Sequence, residues 1–344
     1  MSQPTLTIVG AVGSPYSRKL RALLRYRRIP YVWVNQGSPE AEGLPRPKVE
    51  LMPKLITLNE RGERVAKTDT SPLIRELEEQ VSNGRSAIPA DPAIALLDAL
   101  IEDYADEWLT KAMFHYRWAY EPDIAKASAI LPCWSGSQQP DAALARAGEI
   151  FARRQIERLW VVGSNETTAP IIEDSYRRFL ECFEDHLRSH RFVLGDRPGT
   201  GDFGLYGQLT QLAFFDPTAA AKTLEVAPRV YAWTELMEDH SGLEPQDDDW
   251  FTRDGLPATL RALLREIGRV YPPFLLANAS ALEDGLPRVE CQIDGQDWVQ
   301  KPFPYQAKCL AWLRRDYQAL QDEDRRVVDD TIDGTGLEAL FEDA

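Results

Sequence analysis

Residues 6–12, LTIVGAV, form a short apolar run closed by Gly13, which reads as a buried strand. From Ser17 onward, Leu20, Leu23 and Leu24 recur at helical spacing until Pro30 stops the element. YVWV (31–34) is a second strand, and Gly37, Pro39, Gly43, Pro45 and Pro47 mark 35–50 as a loop. KLITL (54–58) and ERVAK (63–67), joined by NERG (59–62), predict a hairpin. TSPLIRELEEQ (70–80) opens a helix, with Ser71 available as a cap and Pro72 in its first turn. The order is β-α-β, a connection, then β-β-α.

NGRSAIPADPAI (83–94) is polar and carries two prolines, which reads as a linker. Beyond it the pattern turns helical. Residues 95–120 predict one long helix or two abutting ones, ILPCWSGSQQPD (130–141) interrupts, and 143–160 and 174–190 are amphipathic. GLEPQDDDWF (242–251) is an acidic break. After it, 258–271 is helical up to Pro272 and Pro273, RVECQIDGQDWVQ (288–300) alternates about Asp294-Gly295 as a hairpin, and 305–320 and 322–332 are helical again. The expected division is therefore 1–84, a linker at 85–94, an all-α part at 95–240, and an extension at 241–344. The extension's short hairpin and few helices make a poor independent core, so it is expected to pack on the helical part and narrow any cleft there.

Composition narrows the classes. The chain is 44% hydrophobic and 27% charged, with no apolar run near the roughly 20 residues of a membrane helix. MSQPTLTIVGAVGSP lacks a charged start and a long apolar stretch, and four cysteines (Cys133, Cys182, Cys291, Cys309) lie far apart. A cytoplasmic protein without a metal site is the expectation. A net charge of −15 argues against nucleic acid as a partner. Residues 1–84, however, carry 13 Lys/Arg against 9 Asp/Glu. Either this suits a small anionic ligand, or Arg18, Lys19, Arg21, Arg25, Arg27 and Arg28 solvate a helix face.

The compact sheet followed by an all-α part resembles the cytosolic glutathione transferases over roughly residues 5–240, and four motifs carry the resemblance. SPYSRKLR (14–21) is similar to the family's first-helix signature, in which a Ser, Cys or Tyr meets the glutathione sulfur. LMPKL (51–55) resembles the family's cis-proline segment, and TDTSPLI (68–74) its γ-glutamyl turn. LGDRPGTGDFGLYGQL (194–209) is similar to the buried helix start, with Gly199 where Ser or Thr is usual and Asp202 retained. The implied fold is α/β plus all-α: a thioredoxin-like domain, an all-α transferase domain, and a mostly helical extension with a β-hairpin.

The resemblance implies glutathione as co-substrate and a small electrophile as partner, with a homodimer as the family's habit. Ser14 takes the thiol-activating role, with Ser17 or Tyr16 as substitutes; Met52 and Pro53 meet the cysteinyl part, and Asp69 and Thr70 the γ-glutamyl group. A free thiol titrates near pH ~8.5, so a hydroxyl donor and the helix dipole are what would make it a nucleophile at neutral pH. Serine forms no mixed disulfide, and no cysteine precedes Cys133, so dithiol exchange is disfavoured. In the helical part, His115, Tyr116, Arg117 and Trp118 either shape the electrophile's pocket or are interdomain core. The function expected is activation of the glutathione thiol for conjugation or cleavage of an electrophile. The alternative is a non-catalytic binding or scaffold protein with the same fold.

Overall fold

The computed structural model describes residues 6–342. β1 (Leu6–Gly10) leads through a tight turn to α1 (Pro15–Tyr26), then β2 (Tyr31–Asn35), β3 (Lys54–Leu58), β4 (Arg64–Lys67) and α2 (Thr70–Gln80). The sheet order is β2-β1-β3-β4, with β1 parallel to β2 and antiparallel to β3. This is the small mixed sheet that the apolar runs predict. Ile8, Leu20, Leu23, Leu24, Leu55, Leu73 and Ile74 fill the space between the sheet and its two helices.

The chain then becomes helical: α3 (Pro92–Tyr104), α4 (Thr110–Ala119), α5 (Glu121–Cys133), α6 (Asp141–Ile156), α7 (Leu159–Val162) and α8 (Ala169–His186). α9 (Thr200–Leu209), α10 (Pro217–Val226) and α11 (Pro228–Leu236) follow. The helix expected over 95–120 begins at Pro92 and is split by a π-helical turn at Ala105–Leu109; a second such turn, Thr210–Phe215, follows α9. α9 is buried along its whole length, and a Cβ on its Gly207 would stand 2.7 Å from the Pro15 carbonyl. Only glycine lets α9 approach the start of α1 this closely. The α9 start keeps the capping role despite Gly199, because Asp202 accepts the Gly199 and Val193 amides (2.9 and 3.0 Å).

The last hundred residues form α12 (Ala258–Glu283), β5 (Val289–Ile293), β6 (Gln296–Gln300), α13 (Pro304–Gln318) and α14 (Asp322–Ile332). Asp294 and Gly295 both have positive φ (54° and 74°), the backbone that a two-residue hairpin needs. The expectation that Pro272 and Pro273 end a helix is wrong: α12 runs through both. Proline's fixed φ suits a helix even as its lost N–H costs stability. Here Val270, Tyr271, Phe274 and Leu275 are fully buried on either side, and packing outweighs the loss. α12 lies along α8, and Trp298 of β6 packs at a tilt against Trp108 with ring centroids 5.1 Å apart. A single cluster of buried apolar residues joins the sheet domain, the helical domain and the extension.

One seam of this cluster responds to pH. The Tyr271 hydroxyl of α12 donates to Asp103 of α3 (2.5 Å), and burial, with Asp106 and Glu102 nearby, pushes the Asp103 carboxyl up to about 7. The folded chain therefore binds this proton more tightly than the unfolded one does. Its contribution is complete below about pH 4 and is lost as pH rises through about 7, at ~1.4 kcal/mol per unit at most. Thermal unfolding of wild type against Asp103→Asn should show the difference between the two falling across that window. Parallel curves would assign the slope to other groups.

Candidate functional site

The site begins where β1 ends. Register pairs Val9 with Lys54, so the end of β1 lies beside Met52-Pro53, whose peptide bond is cis as the resemblance implies. Pro53 is buried, and Met52 packs against Val9, Val34 and Ile56. Ser14 caps α1: its backbone is extended and its Oγ accepts the Ser17 amide at 3.2 Å. That bond uses a lone pair only. A hydroxyl keeps its O–H to donate, and Ser14 is half-exposed, so capping and donation to a ligand are compatible.

The proposed substitutes for Ser14 are used elsewhere. Ser17 is fully buried, and its Oγ accepts the Ala11 amide (3.2 Å), which locks the turn from inside. Tyr16 turns to the helical domain, where its hydroxyl donates to the Asp106 carbonyl (2.8 Å). Ser17 is thus closed to solvent, and the Tyr16 hydroxyl is taken up by the helical domain. Both hold the turn that carries Ser14.

Asp69 precedes α2 with φ +80°, a sparsely populated region for a residue with a side chain. Its carboxylate makes no capping bond; Oδ2 instead accepts the Tyr305 hydroxyl of α13 at 2.8 Å. Burial raises the Asp69 pKa, against the opposing pull of Tyr305, Lys308 and Lys19. Thr70 is buried at the first position of α2. Immediately after it, the Ser71 hydroxyl meets Glu102 (2.9 Å) and Asp106 (3.3 Å), which also receive the buried Lys19 ammonium at 2.7 and 2.5 Å. Arg75 closes the network on Glu102 (2.8 Å). Burial pulls Glu102 upward, but Arg75 and Lys19 prevail and hold it well below the usual carboxylate range; burial wins at Asp106, which rises. The Asp69-Thr70 turn thus sits on a desolvated ion cluster that binds α1, α2 and α3 together.

The basic run of α1 neither solvates a face nor waits for an anion. Arg18, Arg21 and Arg25 converge on Glu238 (3.2, 2.8 and 2.5 Å), which also accepts the Tyr206 hydroxyl. Arg27 pairs with Glu78 (3.0 Å), and Arg28 with Glu244. Arg27 thus pairs within residues 1–84, whereas Arg18, Arg21, Arg25 and Arg28 answer carboxylates of the later chain.

One turn after Ser14, Arg18 enters the wall of a cleft of about 520 Å³. Trp134, Tyr206, Thr210, Phe214 and Phe215 are among its other walls, so an aromatic surface faces the α1 side. All of its lining residues precede position 241, so the extension does not narrow it as expected. Of the four helical-domain candidates, only Arg117 reaches the turn: it clamps Asp216 with two bonds (2.8 and 2.9 Å) and donates to the Gly13 carbonyl (3.3 Å). His115 is buried between Ser164 (2.8 Å) and Glu173 (3.0 Å). Tyr116 and Trp118 are buried, Tyr116 stacked on Tyr120 and Trp118 against Phe151. These three line no part of the cleft, because the helix turns them toward α8 and the α5–α6 hairpin.

The comparisons agree with this architecture. The family model described as glutathione S-transferase, N-terminal domain, matches residues 8–85, and the one described as glutathione S-transferase, C-terminal domain, matches 141–236. The chain belongs to the glutathione S-transferase superfamily. Among solved structures, it is similar to a glutathione S-transferase of Methylobacterium radiotolerans in complex with glutathione sulfonate. That pair shares 19% identity with a TM-score of 0.37, covering 67% of this chain and 93% of that one. It is also similar to a Tau class glutathione S-transferase of mango, Mangifera indica (16% identity, TM-score 0.41, covering 76% and 97%). A Pseudomonas fluorescens glutathione transferase family member with two glutathione bound gives 13% identity and a TM-score of 0.37, covering 75% and 92%. No curated protein matches the chain. In this superfamily member the end of β1 lies beside the cis Met52-Pro53 bond. Among its described residues, no helix is long and apolar enough to cross a membrane.

Proposed function

We propose that the protein binds reduced glutathione in the sheet domain and activates its thiol for attack on a small electrophile held in the cleft beside α1. The observation that carries this reading is Ser14: a half-exposed hydroxyl at the first turn of a helix, with its proton free to donate. The peptide would lie from Met52-Pro53 to Asp69-Thr70, with its sulfur toward Ser14. A hydrogen bond from Ser14 and the positive end of the α1 dipole favour the thiolate over the thiol. The thiol proton leaves to solvent. In a substitution the sulfur lone pair forms the new C–S bond while the leaving group departs with the electrons of its own bond. The aromatic wall of Trp134, Phe214 and Phe215 suits a flat apolar acceptor.

Calorimetry with millimolar glutathione should show saturable binding, and thiolate absorbance against pH should show the bound thiol titrating below the free one. Ser14→Ala should raise the bound-thiol pKa by about 1–2 units, the equivalent of one hydrogen bond to a charged group. The non-catalytic binding protein shares the site but predicts binding with an unshifted thiol. No heat at all would end both readings.

A further inference from the structure

We propose that the extension supplies, within the same chain, part of the subsite for the γ-glutamyl end of glutathione, through Tyr305 and Lys308 at the start of α13. The inference rests on the placement of that group at Asp69-Thr70 proposed above. Its own evidence is the contact across 236 positions of chain in which the Tyr305 hydroxyl donates to Asp69 Oδ2.

The amino-acid end of glutathione carries an ammonium and a carboxylate, so a subsite for it needs an anionic acceptor and cationic or N–H donors. An ionised carboxylate offers about four lone-pair positions on its two oxygens. Tyr305 takes one on Oδ2, and Asp69 is only half-buried, so Oδ1 remains available to an ammonium. The phenol therefore orients the acceptor without consuming it. Burial raises the Tyr305 pKa, which keeps this hydroxyl a donor.

One turn further along α13, Lys308 is exposed, with its ammonium 4.3 Å from the Trp312 ring centroid and 5.7 Å from that of Tyr305. Among the described residues it forms no ion pair, yet its charge favours the ionised form of Asp69. A cation left without a partner beside an acceptor carboxylate fits the α-carboxylate of the same zwitterion. The unbonded amides at the α2 amino terminus supply further donors.

The start of α13 is also rigidly placed. Buried Asn278 of α12 grips Phe303 from both sides, donating to its carbonyl (3.1 Å) and accepting its amide (2.8 Å). Cys309, Leu310 and Leu313 anchor the next turns in the core. Donors fixed in advance lose little freedom when a ligand arrives.

The test uses the full-length protein, Tyr305→Phe and Lys308→Ala, with glutathione and γ-glutamylcysteine as titrants. Each variant should weaken both ligands by the same factor, roughly fivefold or more, while the pKa of the bound thiol stays where it is in wild type. The Lys308→Ala loss should shrink at high salt. Tyr305→Phe keeps the ring and its packing, and Lys308 is exposed, so both variants should melt with wild type. If wild type binds glutathione and neither variant weakens it, or Tyr305→Phe tightens it, this inference is overturned and the site reading stands. If the variants weaken glutathione but not γ-glutamylcysteine, they act at the glycine end, and the inference is equally overturned. A wild type that binds no glutathione removes both.

Discussion

Removing residues 241–344 should leave a chain that aggregates or melts far below the full-length protein. The extension's own ordering cost disappears with it, so the loss is not the sum of its contacts. What matters is the surface left behind. Tyr104, Trp108, Ile171 and Phe179 are each at most 2% exposed, and they pack in one cluster with Leu260, Ile267, Tyr271, Phe274 and Trp298. Uncovering side chains of this size costs about 1.5–3 kcal/mol apiece, against a total stability of about 5–15 kcal/mol. Lys111 would also lose Gln300 (3.0 Å) and the Phe274 ring that now covers its ammonium at 4.0 Å. Trp298→Ala is the graded form of the same experiment and should cost about 3–5 kcal/mol. Size-exclusion chromatography and calorimetry would read both. A monodisperse 1–240 fragment with unchanged Tm would mean that the extension is an autonomous passenger. Whatever fraction of the fragment folds should bind glutathione more weakly, since Tyr305 and Lys308 leave with the extension.

Local chemistry was legible where it depends on neighbours in sequence. Asp294-Gly295 needs two left-handed residues and has them, Met52-Pro53 is cis, and Asp69 precedes α2. Apolar periodicity located α1, α2, α3, α4, α6, α8, α12, α13 and α14 for the same reason, but not α5, α10 or α11. Pairings across distant segments were not legible. Nothing near Arg18, Arg21 and Arg25 announces that one carboxylate, Glu238, gathers all three. Tyr305 sits on an ordinary amphipathic helix, and only the fold brings its hydroxyl to Asp69. The faces of a buried helix were equally opaque. HYRW offered four polar or aromatic groups in a row, and the 3.6-residue period sends only Arg117 to the β1–α1 turn. A useful signal lay in the composition of α3 and the turn after it. Glu102, Asp103, Asp106 and Glu107 are too many carboxylates for a segment this apolar unless cations elsewhere in the chain answer them.

The main answer is Lys19, and Lys19→Met should be the most damaging single substitution near the site. The ammonium is 1% exposed, and it contacts Glu102, Asp106 and Ser71 at once. Removing one partner of a buried ion cluster leaves the others uncompensated, at a typical cost of about 3–5 kcal/mol. For a chain of this length that is a fall in Tm on the order of 10 °C. Methionine matches the length of the lysine stem, so packing is largely kept and the loss isolates the charge. Arg75 would still neutralise Glu102, which leaves Asp106 as the stranded group. Without Lys19, its carboxyl pKa should climb further, so that the folded variant holds a proton the unfolded chain releases. The variant's deficit should then be small at pH 5 and grow toward pH 8, as taking up a proton at Asp106 becomes the cost of folding. Ser71 would lose its Lys19 donor (3.3 Å) while keeping Glu102, which loosens the α2 start, so glutathione affinity should fall along with stability. A deficit of equal size at both pH values would point to lost packing and remove the electrostatic account of this cluster.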